Sequence, residues 1–241
     1  MRVLGFDTST DDTVVAATDG EGLVFERSIP PGDRRPAHSQ ALLELIDEAV
    51  AELGGWEAVE LISAGIGPGT FTGIRIGVAT AAGLAASTGT PVVGVPTLGA
   101  LARSIGEQSG ARTVMPLIDA RRGQVFGGLH DGSGIALEDP FACGPEELVE
   151  RLNGAALAGP APLPAGPGAV RFRDELLRAG LETEPAESPV HRLTGRPFCD
   201  LGAAADEVGP DTLKPLYLRI PDAQLWLERD GKADQRSDSS H

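Results

Sequence analysis

The chain opens with three apolar runs separated by polar turns. Val3 to Phe6 ends in Asp7-Thr8-Ser9, and Thr13 to Thr18 is β-branched and small. Asp19-Gly20-Glu21-Gly22 is a tight hairpin signal, and Leu23 to Ile29 follows it before Pro30-Pro31-Gly32 stops the run. The period then changes. Leu42, Leu45, Ile46, Ala49, Val50 and Leu53 recur at steps of three and four, which predicts an amphipathic helix with Ser39 as its cap and Gly54-Gly55 as its end. Val59 to Ala64 reads as a buried strand. A glycine-rich loop leads into a helix from about Arg75 to Ser87, Val92 to Val95 is a short strand, and Pro96-Thr97 opens a helix to about Ile105.

The pattern restarts near Thr113. Val114 to Ile118 is a strand ending in Asp119, and Gln124 to His130 is another. Pro145 to Leu152 reads as a helix, and Ala155 to Leu157 as a short strand. The proline-rich 160–167 stretch reads as an irregular loop. Helices are expected at Phe172 to Ala179 and Leu201 to Val208, with Leu216-Tyr217-Leu218 extended. Hairpins followed by crossover helices imply α/β architecture with mixed sheets. Both halves carry a strand ending in an aspartate, Asp7 and Asp119, a weak internal repeat that fits two lobes. We assign 1–107 to the first, 108–227 to the second, with a late helix near 200–208 able to pack back on the first, and 228–241 to a disordered tail of charged and small polar residues.

Charge narrows the classes of function. In 241 residues, 20 Lys+Arg face 35 Asp+Glu, a formal net charge of −15. That argues against gripping nucleic acid over a broad basic face. Two cysteines in no metal or redox spacing exclude a disulfide scaffold. No apolar run approaches the ~20 residues of a membrane span, and the start shows no signal-peptide core, so a cytoplasmic protein without membrane contact is expected.

Candidate chemistry is sparse. Asp7-Thr8-Ser9 could close a turn through backbone N–H groups, or hold a metal–phosphate group in a cleft. The loop Gly65-Ile66-Gly67-Pro68-Gly69-Thr70-Phe71-Thr72-Gly73 matches neither a Walker A loop nor a dinucleotide fingerprint. Thr72 is its candidate cap. Gly73, Gly77, Ala81 and Ala85 line one helix face, which suits close packing either within the chain or between chains. His38, His130, His191 and His241 form no metal pair, no serine sits in a nucleophile elbow, and Cys199 has no activating neighbour. Asp119-Ala120-Arg121-Arg122-Gly123-Gln124 could line a cleft between lobes. Lys214-Pro215-Leu216-Tyr217-Leu218-Arg219 is a basic and aromatic patch in an acidic chain.

Taken together, MRVLGFDTST, HSQALLELIDEAV, SAGIGPGTFTGIRIGVATAAGLA, PVVGVPTLGALA, VMPLIDARRGQVF and KPLYLR, in that order, resemble the bacterial TsaB/YeaZ family, densely over the first 130 residues and loosely from Gly132 to Pro210. The resemblance implies an actin/hexokinase/Hsp70-like fold with two RNase H-like lobes, and a non-catalytic dimerisation subunit of the tRNA threonylcarbamoyladenosine machinery. The catalytic relative carries a His-x-x-x-His metal pair on a first-lobe helix. Here His38 is followed four residues on by Leu42, so no catalytic residue, metal or cofactor is expected, with Asp7, Ser9 and Asp119 left as vestigial cleft positions. The expected partners are the catalytic threonylcarbamoyltransferase paralogue, a small ATPase, a second copy when the chain is alone, and tRNA only through the complex. The implied interface maps onto His38, Leu42, Leu45, Ile46, Ala49, Arg75, Val78, Ala82 and Ala85, whose apolar and small faces are expected to point outward. Gly67, Pro68, Gly69, Phe71, Thr72 and Gly73 form the implied structural loop. The alternatives are a nucleotide-dependent enzyme with ATP–Mg²⁺ between Asp7 and Asp119, and a peptidase, which would need a metal pair or triad that the sequence does not display.

Overall fold

The computed structural model describes residues 1–30, 38–158 and 161–219. The first sheet has the order β3-β2-β1-β4-β5. β1 (Val3–Asp7), β2 (Thr13–Thr18) and β3 (Leu23–Ile29) form an antiparallel meander. The second hairpin turns where expected, because Asp19 Oδ1 accepts from the N–H of both Glu21 and Gly22 at 2.9 Å and Gly20 takes φ +93. After α1 (His38–Leu53), β4 (Leu61–Gly65) pairs parallel to β1. β5 (Val92–Val95) follows α2 (Phe71–Thr88) and pairs parallel to β4.

Alternation along β1 assigns its two faces. Leu4 and Phe6 meet Leu42, Leu45, Ile46 and Ala49 of α1 and Ile74, Val78, Ala81 and Ala85 of α2 in one cluster. Val3 meets Cys199 on the opposite face. That face is closed by α7 (Arg196–Ala203), which packs on β1, β2 and β4. Ser63 of β4 donates to the Phe198 carbonyl at 2.6 Å, and Gly202 passes so close that a Cβ would lie 2.2 Å from Ser63 Oγ. Helix α3 (Thr97–Ser109) joins the lobes and shares a core with Val114, Ile118 and Phe198.

The second sheet has the order β10-β6-β7-β9. β6 (Thr113–Arg121) pairs antiparallel first with β7 (Gln124–Gly127) and then with β8 (His130–Asp131). The predicted 124–130 strand therefore breaks at Gly128-Leu129. β9 (Phe141–Cys143) leads into α4 (Pro145–Ala158), which absorbs the strand expected at Ala155 to Leu157. The expected irregular loop instead holds β10 (Leu163–Ala165), paired parallel to β6, and the start of α5 (Pro167–Arg171). Pro164 is tolerated there because β10 is an edge strand. Helix α6 spans Arg173–Arg178. The last helix lies at 196–203 and not 201–208, because Pro197 suits a first turn. The expected tail at 228–241 lies outside the described residues.

Two helix assignments change. α2 starts a turn before the predicted Arg75. Its cap is Thr70, whose Oγ1 accepts from Gly73 N at 3.2 Å, while Thr72 is exposed. The expectation that the apolar stripes of α1 and α2 face outward is overturned. Leu42, Leu45, Ile46, Ala49, Val78 and Ala85 are each at most 7 % exposed, inside their own lobe. Burying each large apolar side chain stabilises the fold by roughly 1.5–3 kcal/mol, and β2, β3 and β4 supply the surface that takes them. Among the described residues, no helix is long and apolar enough to cross a membrane.

Candidate functional site: a closed aspartate turn and an interlobe cleft

Asp7 ends β1 with its carboxylate fully buried. Oδ2 accepts from Ser9 N and Ser9 Oγ, both at 2.9 Å, and Oδ1 accepts from Thr97 Oγ1 at 3.1 Å. Burial pushes its pKa up to about 6 against the pull of these hydrogen bonds. The glycine-rich loop clasps this turn. A Cβ on Gly65 would lie 1.8 Å from Asp7 Oδ1, one on Gly73 1.9 Å from the Thr8 carbonyl oxygen, and one on Gly69 2.1 Å from the Ser9 carbonyl oxygen. Thr8 Oγ1 donates to the Gly73 carbonyl at 2.7 Å, and Thr70 N to the Ser9 carbonyl at 2.7 Å. Gly67 takes φ +99 before a cis peptide to Pro68. It exchanges bonds with Thr97: Thr97 N donates to its carbonyl at 2.8 Å, and its own N–H donates to Thr97 Oγ1 at 3.2 Å. Of the two readings open for Asp7-Thr8-Ser9, the geometry is that of a turn cap. The small-residue face of α2 is likewise used inside the chain, where Gly77 approaches Thr8 Oγ1.

Between the lobes lie two adjoining cavities. One, of about 200 Å³, is walled by Ser9, Thr10, Asp11 and Asp12 on one side and Asp119 on the other. Ser9 and Asp119 therefore meet as the sequence suggested, and Asp7 does not join them. Arg121 fills the polar gap. Its backbone N–H donates to Asp119 Oδ1 at 2.8 Å, and its guanidinium spans Asp119 Oδ2 at 3.3 Å and Asp11 Oδ1. Arg171 lies 3.8 Å from the same Asp119 oxygen. Of the two carboxylates that an ATP–Mg²⁺ site would need, Asp119 is thus turned toward arginines and Asp7 is closed into its own turn. Asp12 has its pKa raised, first by burial and then by the charge of Asp11. Among the described residues no group of three His, Cys, Asp or Glu is placed to hold a metal ion.

The second cavity, of about 220 Å³, joins the two motifs that the sequence left unassigned. Arg121 and Arg122 of the β6–β7 turn face Tyr217 and Arg219 of the C-terminal segment, with Phe71 and Phe126 between them. The turn places Arg121 and Arg122 at φ 62 and 53, followed by Gly123 at 72.

The remaining reactive groups are structural. His130 is buried, with Nδ1 3.1 Å from the Gly128 carbonyl, and burial lowers its pKa. His191 Nδ1 accepts from Gly166 N at 3.1 Å. Burial pushes the thiols of Cys143 and Cys199 up to about 11 and about 12, which leaves them inert as nucleophiles.

Of the expected interface residues, His38 is the first residue of α1, Arg75 is exposed, and Ala82 is half-buried. Other residues of these two helices, which the sequence reading did not name, are also exposed. Leu43 is 51 % exposed, Ile76 is partly exposed, and Ala79, Gly83 and Ala86 are exposed along the outer face of α2. Small residues on both faces of α2 were the available signal.

Two lobes, each built on a mixed sheet and meeting at a cleft, define a two-lobed α/β protein. Residues 26–139 match the family model described as TsaD, tRNA N6-adenosine threonylcarbamoyltransferase. The Escherichia coli protein named tRNA threonylcarbamoyladenosine biosynthesis protein TsaB is 29 % identical over 240 residues, 96 % of this chain and all of that one. The Bacillus subtilis protein of that name is 43 % identical over 148 residues, 57 % of this chain and 58 % of that one. The solved structure of YeaZ from Pseudomonas aeruginosa superposes with a TM-score of 0.71 at 25 % identity, covering 90 % of this chain and 99 % of that one. The chain belongs to the TsaB/YeaZ family.

Proposed function

We propose that this chain is a non-catalytic subunit of the cytoplasmic machinery that makes threonylcarbamoyladenosine in tRNA, and that it docks on the catalytic threonylcarbamoyltransferase paralogue through the outer faces of α1 and α2. The relatives named TsaB support a role in that biosynthesis. The observation that carries the docking surface is Gly83. It sits in the interior of α2 with nothing within 4 Å of where its Cβ would be. A glycine there costs roughly 1 kcal/mol relative to alanine, and among the described residues no contact offsets it. Flanked by exposed Ala79 and Ala86, it suits the close approach of a facing helix. With no partner present, a second copy takes the same face. The small ATPase and tRNA engage the joint surface of the assembled pair, and catalysis and its metal belong to the paralogue.

Co-purification with the paralogue tests this reading. Gly83→Arg leaves the chain folded, because the position faces open space, and abolishes co-purification. Leu43→Asp acts in the same direction. Survival of the complex in both variants would place the interface elsewhere. A modification assay with each subunit omitted in turn then separates a scaffold from an enzyme: activity from this chain alone would overturn the reading.

A further inference from the structure

We propose that the cavity between the β6–β7 turn and the C-terminal segment binds a nucleotide unit, its phosphate against Arg219 and its base against Tyr217 and Phe71. Three observations converge. First, Arg219 is held by neutral oxygens: Nη1 donates to Gln124 Oε1 and Nη2 to the Ala120 carbonyl, both at 3.0 Å, and the guanidinium lies 5.9 Å from the centroid of the Phe126 ring. Its charge is oriented into the cavity wall without being cancelled by a carboxylate in either bond. Second, Arg75 repeats this at the rim. It stacks 3.8 Å over Phe71 and donates to Tyr217 OH at 3.1 Å, again a neutral acceptor. Third, Tyr217 and Phe71 sit 5.4 Å apart as a tilted aromatic pair and are 38 % and 36 % exposed.

A chain with 35 acidic residues could have paired these arginines internally. It places Arg75 and Arg219 on ring faces and neutral oxygens instead, while Arg121 in the same wall pairs with Asp11 and Asp119. Cationic groups interleaved with exposed aromatic rings are the arrangement that takes a phosphate and stacks a base. The neighbouring cavity differs in its acidic wall: Asp119 lines both cavities, already paired with Arg121, whereas Asp11 and Asp12 line the neighbouring one alone. The small size of the patch is compatible with the acidic chain as a whole: it suits one nucleotide and not a long duplex.

The proposal does not rest on the docking reading, and its test uses the full chain without the paralogue. The chain is titrated with AMP, with inorganic phosphate and with a short fluorescent oligo(A) RNA, at low and moderate salt. The expected result is that AMP binds about tenfold or more tightly than phosphate, a difference of roughly 1.4 kcal/mol, and that added salt weakens both AMP and RNA. Tyr217→Ala reduces AMP binding toward that of phosphate. Arg219→Ala weakens all three ligands. RNA binding tighter than AMP marks an RNA strand as the source of the nucleotide, and the reverse order marks a free nucleotide. Absence of binding at millimolar concentration, phosphate bound as tightly as AMP, or variants of unchanged melting temperature that bind as the parent does would each overturn the proposal. Co-purification with the paralogue would be unaffected by any of these failures.

Discussion

The carboxylate of Asp7 occupies the space that a side chain on Gly65 would need: Oδ1 lies 1.8 Å from the position of the missing Cβ. The two residues end neighbouring parallel strands, β1 and β4, so this contact fixes how the glycine-rich loop leaves the sheet. Gly65→Ala must displace either the carboxylate or the strand end. Overpacking of this kind costs typically 1–3 kcal/mol, and any loss of the hydrogen bonds to Asp7 adds to it. Urea unfolding should show a loss of about 3 kcal/mol or insoluble protein.

Asp7 also sets a pH dependence whose sign is unusual for a carboxylate. Its folded pKa, about 6, lies above the ordinary carboxylate value because burial penalises the charge more than Ser9 and Thr97 reward it. The folded state therefore holds a proton that the unfolded state releases between about pH 4 and pH 6. Stability from this group is present at the acid end of that window and is lost as pH rises through it. Denaturant melts at pH 5 and pH 7 should show the parent losing on the order of 1 kcal/mol relative to Asp7→Asn across that interval. A parent-to-variant gap that does not change with pH would show that Asp7 keeps an ordinary pKa.

Leu42 and Leu43 are neighbours with opposite fates. Leu42 is fully buried against the first sheet, and Leu43 is 51 % exposed. Leu42→Ala should cost about 2–5 kcal/mol. Leu43→Ala should stay within about 0.5 kcal/mol yet weaken docking on the paralogue. Thermal melts paired with co-purification read the two effects separately.

That contrast shows where the sequence was legible. The period of α1 identified its stripe correctly as one face. It did not say whether that face meets a sheet or another chain, because an apolar stripe needs burial and is indifferent to its source. The first five strands were readable from their alternation and turns, since local hydrogen bonds such as those of Asp19 decide them. The Asp7 turn was harder. Its function as a cap depends on Thr97, Gly65 and Gly73, and only the fold brings those together. β10 was missed because Pro164 reads as a breaker, and only an edge position makes it acceptable. The cavity at Arg219 required two motifs about a hundred residues apart to meet, although each stood out on its own.

Arg121 ties the two lobes together and carries an opposing strain. It pairs with Asp11 across the cleft and with Asp119 in its own strand, and its side chain is 56 % exposed. Exposed pairs contribute about 0–1 kcal/mol each and are screened by salt. Against that, its φ of 62 costs an L-residue with a long side chain roughly 1–2 kcal/mol. Asparagine tolerates that backbone better and lacks the reach to Asp11. Arg121→Asn should therefore change stability by less than about 1 kcal/mol at low salt, and the balance should move toward the variant as salt rises, since screening weakens the ion pairs and leaves the backbone term untouched. Urea melts across a salt series would read this directly. A variant that loses ground with added salt would mean that the lobe-bridging pair is shielded from solvent and worth more than an exposed one.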